Sequence, residues 1–403
     1  MSHEDAGATG WRRERLEDLL VFAAGAALPA GGFGWLDDAG EVDGARPREL
    51  WINARMTYVF SLGALTVGGH NAELAAHGVA ALDTTFRDRT RGGWRRAVGV
   101  DGEPTDDRKS CYDHAFVILA AAAATEAGVD GARALLDEAL EVHLARFWDT
   151  EVGACADMLT SDWSSAEPYR GANANMHTVE AWIAAADTTG DDAWLERAAR
   201  IASRVVDRVA RSHDWRVIEH FDESWTPQPE VNRDQPDDPF RPFGATPGHA
   251  FEWSRLLLQL DAATSGSHPW MPDAAQDLFD RAVADVVTGD PGIPYTTDWS
   301  GEPVVSERFH WVAAEAVMAA DALARVDEAQ RLDALRDRWW GEIARFFITD
   351  TGAWRHELSA TMEPSSHTWQ GAPDAYHPVN ALLMPDLPLS PSPARALREG
   401  LTA

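Results

Sequence analysis

The sequence is poor in lysine and cysteine and has no long apolar run. Lys109 is the only lysine, so Schiff-base chemistry would depend on one side chain. Cys111 and Cys155 form no CxxC pair, which favours two core-facing thiols in a reducing, cytoplasmic setting. No stretch reaches the ~18 apolar residues of a membrane span, and the charged N-terminus is unlike a signal peptide. We therefore expect no membrane association.

Positive charge is also scarce, because 65 acidic residues face 35 basic ones and the net charge is −30. Such a surface repels phosphate backbones, so nucleic acid is not an expected partner. The sequence has no HExxH motif, and GGFG at 31–34 has neither the GxGxxG spacing nor a P-loop lysine. We therefore expect no metal and no other cofactor.

Apolar residues recur at helical spacing between Gly, Pro, Asp and Ser residues, and this pattern predicts about twelve helices. A hydrophobic fraction of 45% is enough for a large core. The predicted spans are 11–25, 47–68, 70–85, 109–127, 130–147, 173–188, 191–212, 247–264, 271–288, 307–325, 327–347 and an element from 376.

Short segments between these helices, such as 92–104 and 293–303, have the composition of β-hairpins. Three of them follow helices that end alike, with Phe86, Phe147 or Phe347 shortly before an Asp and a Gly. This repeat of roughly 60–70 residues predicts helix–loop–helix units, and about six units closing on themselves would cover every apolar face. The sequence thus predicts one all-α domain over 1–403, an (α/α)6 barrel of six inner and six outer helices with short β-hairpins in the connecting loops.

Polar and aromatic residues cluster where every second predicted helix begins. His249 and Glu252 are three residues apart, and Trp311 and Glu315 are four apart, so each pair shares a helix face. This regularity favours a ring of helix ends around one pocket over isolated helix caps and core histidines. The steps between Trp51, Tyr112, Asn175, His249, His310 and His377 are 61, 63, 74, 61 and 67 residues.

Several segments resemble the N-acylglucosamine 2-epimerase superfamily, in the branch of the mannose and sulfoquinovose isomerases. The resemblance spans nearly the whole chain and implies an (α/α)6 barrel. It also implies an aldose–ketose isomerase that interconverts D-mannose and D-fructose through a cis-enediol, with D-lyxose and D-xylulose as a side activity. A 2-epimerase and a sulfoquinovose isomerase stay open as alternatives. The segments are WINARMTYVFSL (51–62), GGW to DHAF (92–116), EPYRGANANMHTVEAW (167–182), FRPFGATPGHAFEWSRLLL (240–258) and WQGAPDAYHPVNALL (369–383).

The resemblance assigns proton transfer to His249 and His377, and assistance with ring opening to His177. His310 departs from disaccharide-epimerising relatives, which tend to carry a second tryptophan there, and this favours a monosaccharide substrate. The positions matching sugar contacts are Trp51, Arg55, Tyr112, Asn173, Glu252, Trp311, Glu315 and Trp369.

An aldose–ketose isomerisation requires residues of these same types. Moving a carbonyl from C1 to C2 needs a group that accepts and returns a proton, which histidine does with its pKa of ~6.5. Arg55 can hold the enediolate oxygen, and Glu252, one turn from His249, is expected to fix the tautomer of that ring.

Other functions remain as alternatives. A glycoside hydrolase on the same barrel would need two opposed carboxylates, for which Asp374, Glu252 and Glu315 are candidates. In a carbohydrate-binding module, stacking on sugars would explain the 18 tryptophans. Such a module would not need convergent histidines and an arginine. A metal held jointly by His177, His249 and His377 is a third alternative. A sulfonated sugar substrate would need cationic contacts, for which the sequence offers only Arg241. A homo-oligomer is a possible assembly.

Overall fold

The computed structural model describes residues 6–37, 39–286, 290–326 and 330–403. These residues contain thirteen α-helices. They are α1 (Thr9–Ala24), α2 (Leu50–Thr66), α3 (His70–Thr84), α4 (Cys111–Glu126), α5 (Ala132–Arg146), α6 (Ala172–Thr189), α7 (Ala193–Ala202), α8 (Pro247–Ala263), α9 (Trp270–Val286), α10 (His310–Ala324), α11 (Gln330–Glu342), α12 (Tyr376–Leu383) and α13 (Pro393–Glu399).

Six helices form a closed inner ring. Helices α2, α4, α6, α8, α10 and α12 contact one another in this order, and α12 returns to α2. Helices α3, α5, α7, α9 and α11 each pack outside the inner helix that precedes them, and α1 packs outside α12. The predicted (α/α)6 barrel is therefore confirmed.

Burial explains which helices lie inside. Helix α4 is apolar on all sides, with the run AAAAA, and is buried along nearly its whole length. Helix α3 buries only one face and exposes the other. Trp339 and Trp340 on α11 are 1% and 2% exposed, so these two tryptophans serve packing.

Short antiparallel strands connect the helices at one end of the barrel, as the predicted hairpins require. Strands β4, β8 and β12 end directly before inner helices. The strands are β1 (Arg48–Glu49), β2 (Ala97–Val98), β3 (Pro104–Asp106), β4 (Lys109–Ser110), β5 (Trp148–Asp149), β6 (Ala154–Cys155), β7 (Met158–Leu159), β8 (Tyr169–Gly171), β9 (His220–Asp222), β10 (Thr296–Thr297), β11 (Pro303–Val305), β12 (Arg308–Phe309) and β13 (Glu357–Leu358).

A hydrogen bond that recurs in three inner helices explains part of the repeat of roughly 60–70 residues. Asn53, His114 and Asn175 are each the fourth residue of an inner helix, and each accepts a hydrogen bond from the backbone N–H of the residue twenty positions earlier. These side chains therefore anchor the preceding hairpin to the helix. Asn175, which the sequence pattern placed among the pocket-forming positions, serves the fold instead.

The helix ends lie within three residues of the predicted ones, with three exceptions. The predicted helices 191–212 and 327–347 continue from α7 and α11 as the π-helical segments Ser203–Ala210 and Ile343–Phe347. The C-terminal element is two helices, because a proline-containing stretch separates α12 from α13. The predicted helical residues 287–288 and 327–329 lie outside the described residues. Among the helices described, none is long and apolar enough to cross a membrane.

Candidate active site

The beginnings of the inner helices surround one pocket of about 660 Å³, which is open to solvent. The positive ends of these helix dipoles therefore face the pocket, which favours negative charge there. All of the predicted site residues line it except Glu315. They are Trp51, Arg55, Tyr112, Asn173, His177, His249, Glu252, Trp311, Trp369 and His377.

A buried carboxylate holds His377. Nδ1 of His377 lies 2.9 Å from Oε1 of Glu315, and Oε2 of Glu315 accepts a hydrogen bond from Arg255 Nε at 3.1 Å. Glu315, which the resemblance predicts to contact the sugar, is 0% exposed. It contacts His377 from behind the pocket wall instead. With Glu315 ionised, Nδ1 carries the proton and Nε2 is the free basic nitrogen.

The surroundings keep His377 neutral near neutral pH. Burial lowers the pKa of His377 well below 6.5, and the nearby charge of Arg55 lowers it further. A neutral imidazole with a free Nε2 can accept a proton from a substrate carbon. The same imidazole can return that proton in the next step.

His249 has its own carboxylate partner, but not the one predicted. Nδ1 of His249 lies 2.9 Å from Oε1 of Glu219, the residue before β9, whereas Glu252 approaches His177 instead. The expectation that Glu252 fixes the His249 tautomer is therefore wrong. The residue that does so lies 30 positions earlier in a hairpin, and no helical spacing could have identified it. The Trp311 ring lies 5.2 Å from the His249 ring and 5.6 Å from the His377 ring.

Replacing Glu219 by glutamine should lower kcat at least ~10-fold, a loss of about 1.4 kcal/mol of transition-state stabilisation. The amide keeps the shape but removes the charge that stabilises the imidazolium form of His249. Steady-state kinetics should show the loss in kcat with a smaller change in KM. Glu223→Gln, on an exposed residue of the same hairpin, is the matched control. An unchanged kcat for Glu219→Gln would show that the charge of Glu219 does not support His249.

His177, the third predicted catalytic histidine, lies in a buried network of ionisable side chains. Nδ1 of His177 lies 3.3 Å from Oε2 of Glu180 and 3.7 Å from Oε1 of Glu252. Burial lowers the pKa of His177 to about 4. Burial alone would raise the pKa of Glu180, but His177 and Arg255 outweigh it and the pKa falls to about 2. Glu180 is thus the ionised member of this group.

Glu252 is different, because neither of its buried carboxyl oxygens has a hydrogen-bond partner among the described residues. Burial, followed by the charge of Glu315, raises the pKa of Glu252 well above its ordinary value. The raised pKa favours the protonated form of this carboxyl. A neutral carboxylic acid at a pocket wall can donate a hydrogen bond to a ligand oxygen.

Two overlapping groups at the pocket floor have the residue types of a metal site: His177, Glu180 and Glu252, and Glu252, Glu315 and His377, with ligand atoms within 4.8 Å of one another. The guanidinium of Arg255, however, lies 3.9, 3.6 and 3.1 Å from oxygens of the three carboxylates. A cation already occupies the centre of these charges and would repel a second one. The donor set therefore fits a catalytic metal poorly.

Arg55 is held rigidly at the pocket. Its guanidinium donates hydrogen bonds to Asp374 Oδ2 at 3.2 Å and to the Tyr112 hydroxyl at 2.7 Å. The rings of Phe116 and Tyr376 pack against it, with centroids at 4.4 and 4.8 Å. Burial alone would lower the pKa of Arg55, but the contacts with Tyr112 and Asp374 outweigh it and raise the pKa. The side chain is thus a fixed, fully charged donor.

Several polar atoms at the pocket have no hydrogen-bond partner in the part of the chain that the structure describes: Asn173 Oδ1, Arg55 Nε and His356 Nδ1. Leaving such atoms buried without a partner costs free energy, which a ligand with many hydroxyl groups can restore. The sequence interpretation did not single out His356, Phe240 or Tyr295, which also line the pocket. They come from connecting segments, where helical periodicity gives no signal.

The carboxylates do not form a hydrolase pair. Asp374 accepts hydrogen bonds from Arg55 and from the backbone N–H of Tyr376, and Glu315 is tied to His377 and Arg255. Of these three candidates, Glu252 alone is free to face a ligand. An acid and base pair of opposed carboxylates is therefore not formed by the predicted residues.

Known proteins share this architecture. Residues 31–381 match the N-acylglucosamine 2-epimerase (GlcNAc 2-epimerase) family. A D-mannose isomerase of Pseudomonas cannabina pv. alisalensis is 46% identical over 386 residues, covering 94% of this chain and 92% of the relative. A solved D-mannose isomerase superposes with a TM-score of 0.87 at 27% identity, over 93% of this chain and 97% of that one.

The same fold occurs in the cellobiose 2-epimerase of Spirochaeta thermophila, with a TM-score of 0.83 at 22% identity over 94% of this chain and 95% of that one. At 22% identity, this likeness shows only that the two proteins share a fold. The match over most of the chain and the 46% identical relative decide the family. The chain belongs to the N-acylglucosamine 2-epimerase family.

Proposed function

We propose that this protein is an aldose–ketose isomerase that interconverts D-mannose and D-fructose. The observation that carries the proposal is the pair of imidazoles, His249 and His377, each with Nδ1 on a buried glutamate and both beside Trp311. The names of the D-mannose isomerase relatives support this substrate. Unpartnered polar atoms at the pocket wall suit a sugar with several hydroxyl groups.

In the proposed mechanism, Nε2 of His377 removes the proton from C2 of the open-chain sugar. The electron pair of the C2–H bond forms the C1=C2 double bond, and the negative charge moves to O1. Arg55 and the inner-helix dipoles stabilise this enediolate. The His377 imidazolium then returns the proton to C1.

The hydroxyl proton must move in the same direction, from O2 to O1. His249 gives a proton to O1 and receives the proton of O2 as the C2 carbonyl forms, so no proton is gained or lost overall. We infer that His177 and Glu252, whose pKa is raised, hold the ring oxygen during ring opening. Asn173 Oδ1 accepts from a sugar hydroxyl.

A neutral sugar suits the pocket better than a sulfonated one. Arg241 donates a hydrogen bond to Glu167 at 2.8 Å, lies 3.7 Å from Asp157 and stacks on the Tyr169 ring at 3.8 Å. Its charge is therefore already matched by two carboxylates. D-Lyxose shares the reacting atoms C1 and C2 with D-mannose and is proposed as a side substrate.

The location and assembly remain proposals. Cys111 and Cys155 are buried and form no disulfide. Free thiols of this kind support the expected cytoplasmic location. A homo-oligomer stays open.

The function is tested by incubating the purified protein separately with mannose, glucose, fructose, lyxose and sulfoquinovose and resolving the products. We expect mannose and fructose to interconvert and lyxose to give xylulose more slowly. Formation of glucose from mannose without fructose would identify a 2-epimerase instead. Conversion of sulfoquinovose alone would overturn the proposed substrate.

Activity should survive exhaustive treatment with EDTA. The proton transfers are assigned to histidines, and Arg255 supplies the cation among the buried carboxylates. The measurement is the rate of fructose formation before and after chelation, with the metal content followed by mass spectrometry. Loss of turnover that a divalent ion restores would contradict the mechanism.

A further inference from the structure

One segment lies across the mouth of the pocket, and on the Trp369 side its Asp237 Oδ2 lies 3.3 Å from His367 Nε2. Residues 228–246, here called the lid, are fastened to neighbouring hairpins: Trp299 Nε1 donates to Pro229 O at 3.2 Å, and the Tyr295 hydroxyl donates to Pro239 O at 3.3 Å. His220 Nε2 lies 2.8 Å from Pro242 O, and Ala245 pairs with Thr297. These hairpin contacts lie on the side of the pocket formed by the β8–β9 and β10–β11 strands.

The far end of the lid carries Phe240. Its ring centroid lies 6.2 Å from Trp51, 5.3 Å from Trp369 and 6.5 Å from Tyr112, so it reaches the opposite side of the pocket mouth. These contacts are between rings, and Phe240 remains 41% exposed.

The mouth is therefore ringed by aromatic side chains directly above Arg55. Trp51 and Trp369 lie 6.2 Å apart, and the guanidinium of Arg55 lies 5.2 Å from the Trp51 ring. A sugar bound at Arg55 would meet Phe240 where a second sugar ring would leave the pocket. The phenyl ring fills that space and offers no hydrogen bond to replace the water lost from the second ring.

The fold itself does not limit the substrate to one ring, since the cellobiose 2-epimerase with the same architecture is named for a disaccharide. We propose that Phe240 is the residue that restricts this pocket to monosaccharides, by closing the mouth against a second sugar unit. The inference rests on the proposed function, because it presupposes a sugar at Arg55. Phe240 is thereby a specificity-determining residue supplied by the lid rather than by the barrel.

The test compares kcat/KM for D-mannose and for β-1,4-mannobiose, whose reducing end presents the same C1 and C2. Phe240→Ala should raise the ratio of mannobiose to mannose activity at least ~10-fold, the scale expected when a steric obstacle in a binding pocket is removed. Phe240→Tyr, which keeps the ring, is the matched control and should leave the ratio low. Phe240→Leu should give an intermediate ratio, and circular dichroism melting curves verify folding of each variant.

An unchanged ratio in both Phe240→Ala and Phe240→Leu would overturn the inference. An equal rise in Phe240→Tyr would also overturn it, because the ring would then not be the obstacle. Failure of the wild-type protein to isomerise mannose would instead refute the proposed function. The two failures are distinguished by the mannose rate of the wild type.

Discussion

Replacing His377 by alanine is expected to lower the kcat of mannose isomerisation by ~10²–10⁴, the usual cost of a lost general acid and base. The imidazole has Nδ1 on the buried Glu315, so the proposed base is the opposite nitrogen. Its partner Glu315 cannot take over as the base, because Glu315 is tied to Arg255 and lies behind the pocket wall. His70→Ala, on an exposed histidine of α3, controls for loss of a histidine elsewhere.

Solvent deuterium exchange separates the roles of the two histidines. Wild-type protein in heavy water should incorporate deuterium at C2 of mannose, and His377→Ala should not. His249→Ala should slow net isomerisation while retaining part of the C2 exchange. The reverse pattern would exchange the two assignments, and normal C2 exchange in both variants would refute the histidine mechanism.

The pH dependence follows from the same site. Burial lowers the pKa of His377 well below 6.5, so its basic form persists at neutral pH and is lost only as the pH falls through that lowered value. The acidic limb of the plot of kcat/KM against pH is therefore expected below pH 6.5. A limb above pH 6.5 would show that another group governs activity.

Arg55→Lys should lower kcat about 10²-fold although the charge is retained, comparable to the loss of one donor at an oxyanion site. The guanidinium bonds to Asp374 and Tyr112 and still has Nε free. A lysine ammonium has no such fork, so it cannot keep both protein contacts and also address an enediolate oxygen. The measurement is steady-state isomerisation of mannose.

The matched control for this variant is Arg13→Lys, because that side chain is 76% exposed on α1. The control should keep full activity and an unchanged melting temperature. Near-normal kcat for Arg55→Lys would remove Arg55 from stabilisation of the enediolate. A rise in KM at constant kcat would assign Arg55 to substrate binding in general.

Much of the fold followed from the sequence, because the signals are local. Apolar spacing and turn residues predicted the inner and outer helices within three residues at most ends. Part of the repeat has a specific cause, the hydrogen bonds of Asn53, His114 and Asn175 to hairpins twenty residues earlier. The same period misassigned Asn175 to the pocket, since fold anchors and pocket residues recur with one spacing.

The sequence by itself determined the closed helical ring, through periodicity along the chain, and most of the inner-helix residues that line the pocket, through periodicity together with the family resemblance. Only the tertiary structure decided their partners: Glu219 for His249, Glu315 for His377 and Arg255 among three carboxylates. It also brought Phe240 of the lid over the mouth. Hydrogen bonds and ion pairs depend on distances of a few ångströms between groups from different elements, and spacing along the chain does not encode these distances.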